Sequence, residues 1–150
     1  MDLTLSEEQQ MIVDMTQGIL EEHSHIEVVR QMEDDPKGYP DELWKQLGES
    51  GLSGLLIPES FGGGGQSLFE AALLYEQLGA FLSPVPHFVS SVISARLLLE
   101  AGSEAQQEEW LRKIAGGDAL LTLAWLEPAR GFGEKGVKLA AEADGEDCLL

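Results

Sequence analysis

Four kinds of residue in this chain have types and spacings that could do chemistry: a glycine run, three histidines, one cysteine and a surplus of carboxylates. The run Gly62 to Gly65 invites comparison with a phosphate cradle, but nucleotide fingerprints need spaced glycines between a strand and a helix N-terminus. Four in succession suit a sharp turn between packed elements instead. His23 and His25 lie two apart, so on a helix end they point to different faces and do not make a metal site. Cys148 falls in a predicted strand with no neighbouring His to activate it. His87 follows Pro86 at the start of an apolar helix, where a satisfied core or interface histidine is the ordinary reading. The acidic residues spread over helix faces and first turns, where the helix dipole favours them, and no two carboxylates pair for acid-base work. Spacing alone therefore delivers no catalytic group and no metal site.

Charge excludes more. The 150 residues carry 9 Lys plus Arg against 27 Asp plus Glu, a formal net charge of -18. A nucleic-acid binder needs clustered cations to displace counterions from phosphates, and an anionic membrane surface makes the same demand. Neither fits. The hydrophobic fraction of 43% and charged fraction of 24% are those of a globular domain. One Cys forms no internal disulfide, and Met1 to Gln10 is polar and acidic where a secretory signal is basic and then apolar. No apolar run approaches ~20 residues. The expectation is a cytoplasmic chain without membrane insertion.

The elements that must position any site are legible from their starts. A Ser followed three residues later by Glu or Gln can satisfy two backbone N–H groups of a first turn reciprocally. Ser6 with Gln9, Ser24 with Glu27, Ser67 with Glu70 and Ser103 with Gln106 all have this form. The first predicted helix buries Ile12, Met15 and Ile19; the second buries Ile26, Val29 and Met32 and stops at Asp35-Pro36. A third opens at Pro40, carries Leu43, Trp44 and Leu47, and ends at Gly51. Leu55 to Pro58 reads as a buried extended connector. Ser67 to Leu78 is apolar at nearly every position, which predicts a helix enclosed on most sides. The fifth helix runs from the Ser83-Pro84-Val85-Pro86 entry to Leu99, and the sixth carries Trp110, Leu111 and Ile114 inward. Leu120 to Trp125 and Val137 to Ala143 then read as strands, with a hairpin signal at Asp144-Gly145. The fold class expected is mainly α: six helices over 1–118, followed over 119–150 by the first strands of an incomplete β domain.

Taken in order, several segments resemble the acyl-CoA dehydrogenase family. They are Glu42-Leu-Trp-Lys-Gln-Leu-Gly48, Gly51 to Glu59, Phe61 to Gly65, Tyr75-Glu-Gln-Leu-Gly79, Ala101 to Gln106 and Leu126-Glu127-Pro128. The resemblance is to that family's amino-terminal helical domain and the opening strands of its middle β domain. It implies a flavoenzyme in which a Glu removes the α proton of an acyl-CoA thioester while the β hydrogen leaves as hydride to FAD. The thioester carbonyl must then be held by hydrogen bonds that stabilise enolate character. Reduced flavin in such enzymes passes electrons to an electron-transfer flavoprotein.

The resemblance also distributes the parts. The catalytic Glu of such proteins belongs to a carboxy-terminal helical domain, so no catalytic residue is expected within these 150 residues. Flavin contacts fall on Leu123, Trp125, Leu126, Gly131 and Phe132. Leu126 stands where the family has a Thr that hydrogen-bonds the flavin ring, and Phe132 stands where it has a Ser. Each loss removes a polar partner worth about 1 kcal/mol. The helix opened by Pro86 would floor the acyl-tail pocket, with His87, Phe88, Val89 and Ser91 as candidates to face substrate. The expected whole is a homo- or hetero-oligomer that binds acyl-CoA and FAD, while the 150-residue chain alone holds FAD weakly and is inactive. An unfinished sheet edge predicts self-association. A non-catalytic partner subunit of a heteromeric complex is the alternative, because the two hydroxyl positions are lost. CoA is itself a polyanion, so its cations are expected outside this acidic segment.

Overall fold

A computed structural model describes residues 4–127, 136–145 and 147–149, and it places six α-helices in the first of these stretches. They are α1 (Glu7–His23), α2 (Ile26–Met32), α3 (Asp41–Glu49), α4 (Leu68–Ala80), α5 (Ala95–Ala101) and α6 (Glu104–Ala115). A π-helical stretch, Phe88–Ser94, runs directly into α5. Three of the four capping boxes form as expected, with Ser6, Ser67 and Ser103 each capping a helix whose third residue reaches back to the cap N–H. Ser24 does something else. It ends α1, its N–H donating to Leu20 O at 2.8 Å, and its buried hydroxyl bonds the Ser83 hydroxyl at 2.8 Å. His25 takes the N-cap of α2 without a side-chain bond, and α2 buries none of its residues. The second helix is thus short and peripheral rather than a core element. Tertiary satisfaction of the Ser24 hydroxyl has displaced its local capping role.

The helices meet in two apolar clusters. Ile12 and Leu20 of α1, Leu43 and Leu47 of α3, and Leu74 and Leu78 of α4 share the first with Leu52 and Leu55. Ile57, Ala95, Leu111, Ile114 and Ala115 form the second. Leu52 to Ile57 joins the two clusters, but not as an extended connector. It winds through a 3-10 turn at Leu52–Gly54, and another follows at Glu59–Phe61. The turns send Leu52 and Leu55 into the first cluster, with Leu56 against it, and Ile57 into the second. Trp44 Nε1 donates to Gly117 O at 2.9 Å and fixes α3 against the end of α6.

Two other expectations need correcting. Leu68 and Phe69 are 75% and 53% exposed, so the first turn of α4 is not enclosed although Leu73, Leu74 and Leu78 are. Trp110 is half-buried rather than inward, with the Lys113 ammonium 4.6 Å from its ring centroid. Residues 119–127 form no strand. The only ladder among the described residues pairs β1 (Glu142–Asp144) with β2 (Asp147–Leu149), Asp144 opposite Asp147, and Gly145 follows β1 at φ 66. A strand is a pairing, and the N–H of Leu121 finds Ser90 Oγ at 3.1 Å instead of a neighbouring strand.

Glu70 clamps α1 to α4. One oxygen accepts from Gln9 Nε2 at 2.8 Å, and the other from the N–H of Ser67 at 3.0 Å and from the Ser67 hydroxyl. The Ser67 hydroxyl, and then Gln9, hold its carboxyl at about 2, below the ordinary 4.5. A depressed carboxylate stabilises the fold above its unfolded pKa, and that contribution is lost as pH falls from 4.5 toward 2. Replacing Glu70 with Gln is expected to cost about 1–2 kcal/mol at neutral pH and to flatten the acid limb in that window. Urea unfolding of both proteins across pH 2–5 checks it.

Gly18 sits exposed in the middle of α1, and a β-carbon there would meet nothing within 4 Å. Gly18→Ala is therefore expected to stabilise the chain by about 0.5–1 kcal/mol, because glycine's backbone entropy is lost for no packing gain. A denaturant midpoint that does not rise would contradict this.

Candidate functional site

The entry to the π-helical stretch is built with care. Leu82 adopts φ 51, a left-handed conformation that costs a side chain about 1 kcal/mol or more. Pro84 and Pro86 fix the next turns, with Val85 N–H donating to Ser83 O at 3.0 Å. The result sets His87 against α4. His87 is 3% exposed and both ring nitrogens are engaged, Nε2 with Leu52 O at 3.1 Å and Nδ1 with the Tyr75 hydroxyl at 2.6 Å. A carbonyl oxygen only accepts, so Nε2 carries the proton, Nδ1 accepts, and the tyrosine hydroxyl donates. Burial pushes the His87 pKa below its usual 6.5, with the Leu52 carbonyl opposing it, and burial pushes the Tyr75 hydroxyl up. The imidazole is neutral and acts as a pin between α4, the Leu52 turn and the π stretch.

The four residues read as substrate-facing do not share one surface. His87 and Phe88 line a depression of about 280 Å³ with Tyr75, Leu78, Leu82 and Val85. Phe88, 53% exposed, stacks edge-on to Tyr75 with centroids 5.8 Å apart, and Val89 is 37% exposed. Ser91 turns away into a separate groove of about 430 Å³, with Leu56, Gln66, Leu68, Val92 and Arg96 among its walls. Five successive residues of a helix span more than one turn, so they cannot all face one ligand.

Three of the residues read as flavin contacts, Leu123, Trp125 and Leu126, lie in the stretch 119–127, which has no regular structure. Leu126 and Trp125 are about half exposed and Leu123 is partly buried, with the Trp125 N–H donating to Leu123 O at 3.1 Å. Glu127 Oε1 accepts from the N–H of Lys138 at 2.5 Å and of Leu139 at 2.7 Å, joining the two described segments of this region. Gly131 and Phe132, like Pro128, lie outside the described residues. Two leucines and an indole offer this stretch apolar surface. The described residues thus do not by themselves fit a flavin.

Reasoning from sequence alone missed Tyr75, which it took as core. A tyrosine in an otherwise apolar helix needs a partner for its hydroxyl, and that was the available signal. It also missed that three serines in one apolar segment, Ser90, Ser91 and Ser94, must each be satisfied or left over. Among the described residues, no group of three or more His, Cys, Asp or Glu could hold a metal ion, and no helix is long and apolar enough to cross a membrane.

Comparison with known proteins assigns this arrangement. Residues 6–118 match the model of the acyl-CoA dehydrogenase N-terminal domain. Isovaleryl-CoA dehydrogenase, mitochondrial, of Pongo abelii is 31% identical over 150 residues, covering 97% of this chain and 35% of that protein. Among solved structures, the ChsE4-ChsE5 complex from Mycobacterium tuberculosis is similar at a TM-score of 0.80 and 28% identity, covering 99% of this chain and 39% of that one. An acyl-CoA dehydrogenase complexed with FAD from Bacillus anthracis superposes at a TM-score of 0.72 and 28% identity, covering 85% of this chain and 22% of that one. The chain thus spans only 22–39% of the length of these three relatives. With a helical fold that matches and a family model covering most of its residues, the chain belongs to the acyl-CoA dehydrogenase family.

Proposed function

We propose that the whole protein is an FAD-dependent acyl-CoA dehydrogenase that converts an acyl-CoA thioester to the trans-2-enoyl-CoA. The observation that carries this reading is the family match over residues 6–118. Residues 1–118 act as the helical domain and 119–150 open the middle β domain. Exposed Phe88 and Val89 offer apolar surface to the acyl tail, and the buried His87–Tyr75 pair holds the helix that bears them in place. Those two residues bind and exclude water; His87, its nitrogens both occupied, positions rather than reacts. FAD supplies the redox chemistry when bound. This chain contributes only a margin of its site through Leu123, Trp125, Leu126, Gly131 and Phe132, so the 150 residues alone hold FAD weakly and do not turn over substrate. Electrons leave to an electron-transfer flavoprotein, the assembly is oligomeric, and the compartment is cytoplasmic.

The test is flavin content and acyl-CoA-dependent reduction of an artificial electron acceptor by the whole protein. Stoichiometric FAD and turnover are expected. A flavin-free, inactive whole protein would count against the reading.

A second reading is a partner subunit that completes a site on another chain. The apolar Leu126, in place of the Thr that the family resemblance implies, favours it, and one solved relative is a two-component complex. Flavin bound only after co-expression with a second family chain supports this reading; full flavin in the isolated protein excludes it.

A further inference from the structure

Among the described residues, every position with positive φ is a glycine except one, Leu82, at φ 51. Its place in the chain explains the conformation. Helix α4 is capped by Phe81, the Leu82 N–H donates to Gly79 O at 3.1 Å, and the Ser83 N–H donates to Leu78 O at 2.9 Å. These two bonds satisfy the last carbonyls of the helix, and the residue after the cap must turn left-handed to make them, which is why glycine is the usual occupant. Leucine is the costly choice.

Nothing in the fold compensates for it. A helix end of this kind is often braced by an apolar contact from the residue after the turn, but that residue is Ser83, whose hydroxyl bonds Ser24 instead. The Leu82 side chain is 65% exposed, so burial within the chain does not offset the strain. What the side chain does have is a place on the wall of the depression of about 280 Å³, with Val85 and Phe88. Glycine would relieve the backbone and take that apolar wall away. Backbone strain held where no internal contact requires it points to a contact outside the fold.

We propose that Leu82 is a specificity-determining residue of the acyl-CoA site, its side chain packing on acyl tails long enough to enter the depression beside Phe88. The inference rests on the acyl-CoA dehydrogenase reading and adds to it a residue and a preference, for longer tails over short ones. A tail too short to reach the depression never meets Leu82.

The experiment uses the whole protein, with a second family chain if flavin binding requires one, and a thioester series from butyryl-CoA to dodecanoyl-CoA. With an artificial electron acceptor, kcat/KM is measured for the parent and for Leu82→Gly, Leu82→Ala and Leu82→Met. The glycine and alanine variants are expected to lose about 5- to 10-fold in kcat/KM for the longer tails and less than about 2-fold for butyryl-CoA. Leu82→Met keeps an apolar side chain of similar volume and is expected to retain the parent profile. Leu82→Gly is also expected to melt at or above the parent temperature, since it frees the turn of strain. An equal loss at every chain length would show that Leu82 packs against protein rather than substrate, and no loss at any length would show that it meets no substrate. A Leu82→Gly protein that melts lower or fails to fold would show that the side chain supports the fold. Each of these overturns the proposal. A parent that turns over no thioester fails the acyl-CoA reading itself and takes this inference with it, whereas an active parent with variants indifferent to chain length overturns the inference alone.

Discussion

Replacing Gly63 with alanine is expected to destabilise the chain by about 3 kcal/mol. A β-carbon on Gly63 would lie 2.1 Å from Ile57 O and 2.6 Å from Gly54 O, and both atoms are backbone. No rotamer change can relieve that overlap. The loop must move away from the 54–57 turn, yet three bonds hold it there: Gly64 N–H to Gly54 O at 3.0 Å, Gly65 N–H to Ile57 O at 2.9 Å, and Gln66 N–H to Leu55 O at 2.9 Å. Stretching those bonds, at about 1 kcal/mol each, adds to the overpacking cost. Because the 54–57 turn joins the two apolar clusters, the damage should reach both. Chemical denaturation of Gly63→Ala beside Gly18→Ala checks this, since the same substitution is expected to act in opposite directions. A Gly63→Ala protein as stable as its parent would show that the loop does not lie against the turn.

The second large effect concerns His87. His87→Ala removes two hydrogen bonds, leaves the Leu52 carbonyl and the Tyr75 hydroxyl without partners, and opens a cavity. Together these are expected to cost about 3 kcal/mol. The pH dependence identifies the cause. A histidine whose pKa is depressed by burial stabilises the fold as the neutral form, so its contribution is complete above its unfolded value of 6.5. As pH falls below 6.5 the unfolded chain takes up the proton first, and stability declines by at most about 1.4 kcal/mol per pH unit. The parent should lose stability from pH 6.5 downward, whereas His87→Ala should be flat until the carboxylates titrate. Glu70 acts only below 4.5, so the two windows separate. A parallel decline in parent and variant between pH 6.5 and 5 would show that His87 is not the group responsible.

Helix starts were legible wherever the cap was satisfied locally. Ser6, Ser67 and Ser103 act as their spacing predicts, because a first turn needs only its own residues. Ser24 has the same local pattern, and its hydroxyl went to Ser83, 59 residues away, which no local rule contains. The glycine run was legible as a turn but not in its reasons. Gly62 and Gly65 are needed for positive φ, whereas Gly63 is needed because backbone oxygens fill the place of its β-carbon. Conformation can be inferred from residue type; close approach of a distant segment cannot.

The site divides in the same way. His87 stood out as a histidine in an apolar helix, and its burial follows from that setting. Its tautomer did not, since Tyr75 and Leu52 reach it from 12 and 35 residues away. The π-helical register of Phe88–Ser94 also has no signature in composition, yet it decides that Ser91 leaves the face that Phe88 occupies. Strands predicted over Leu120 to Trp125 failed for want of a partner, since alternation of apolar residues specifies a face and not a neighbour.

We propose acyl-CoA dehydrogenation as the activity of the whole protein to which this helical domain belongs. The most direct measurement is an anaerobic absorbance titration of the whole protein with acyl-CoA thioesters of graded chain length. Bleaching of the visible flavin band, saturating near one thioester per flavin with at least one chain length, is the result predicted. A flavin band that no thioester bleaches, or a whole protein that carries no flavin alone or with a second family chain, would contradict it.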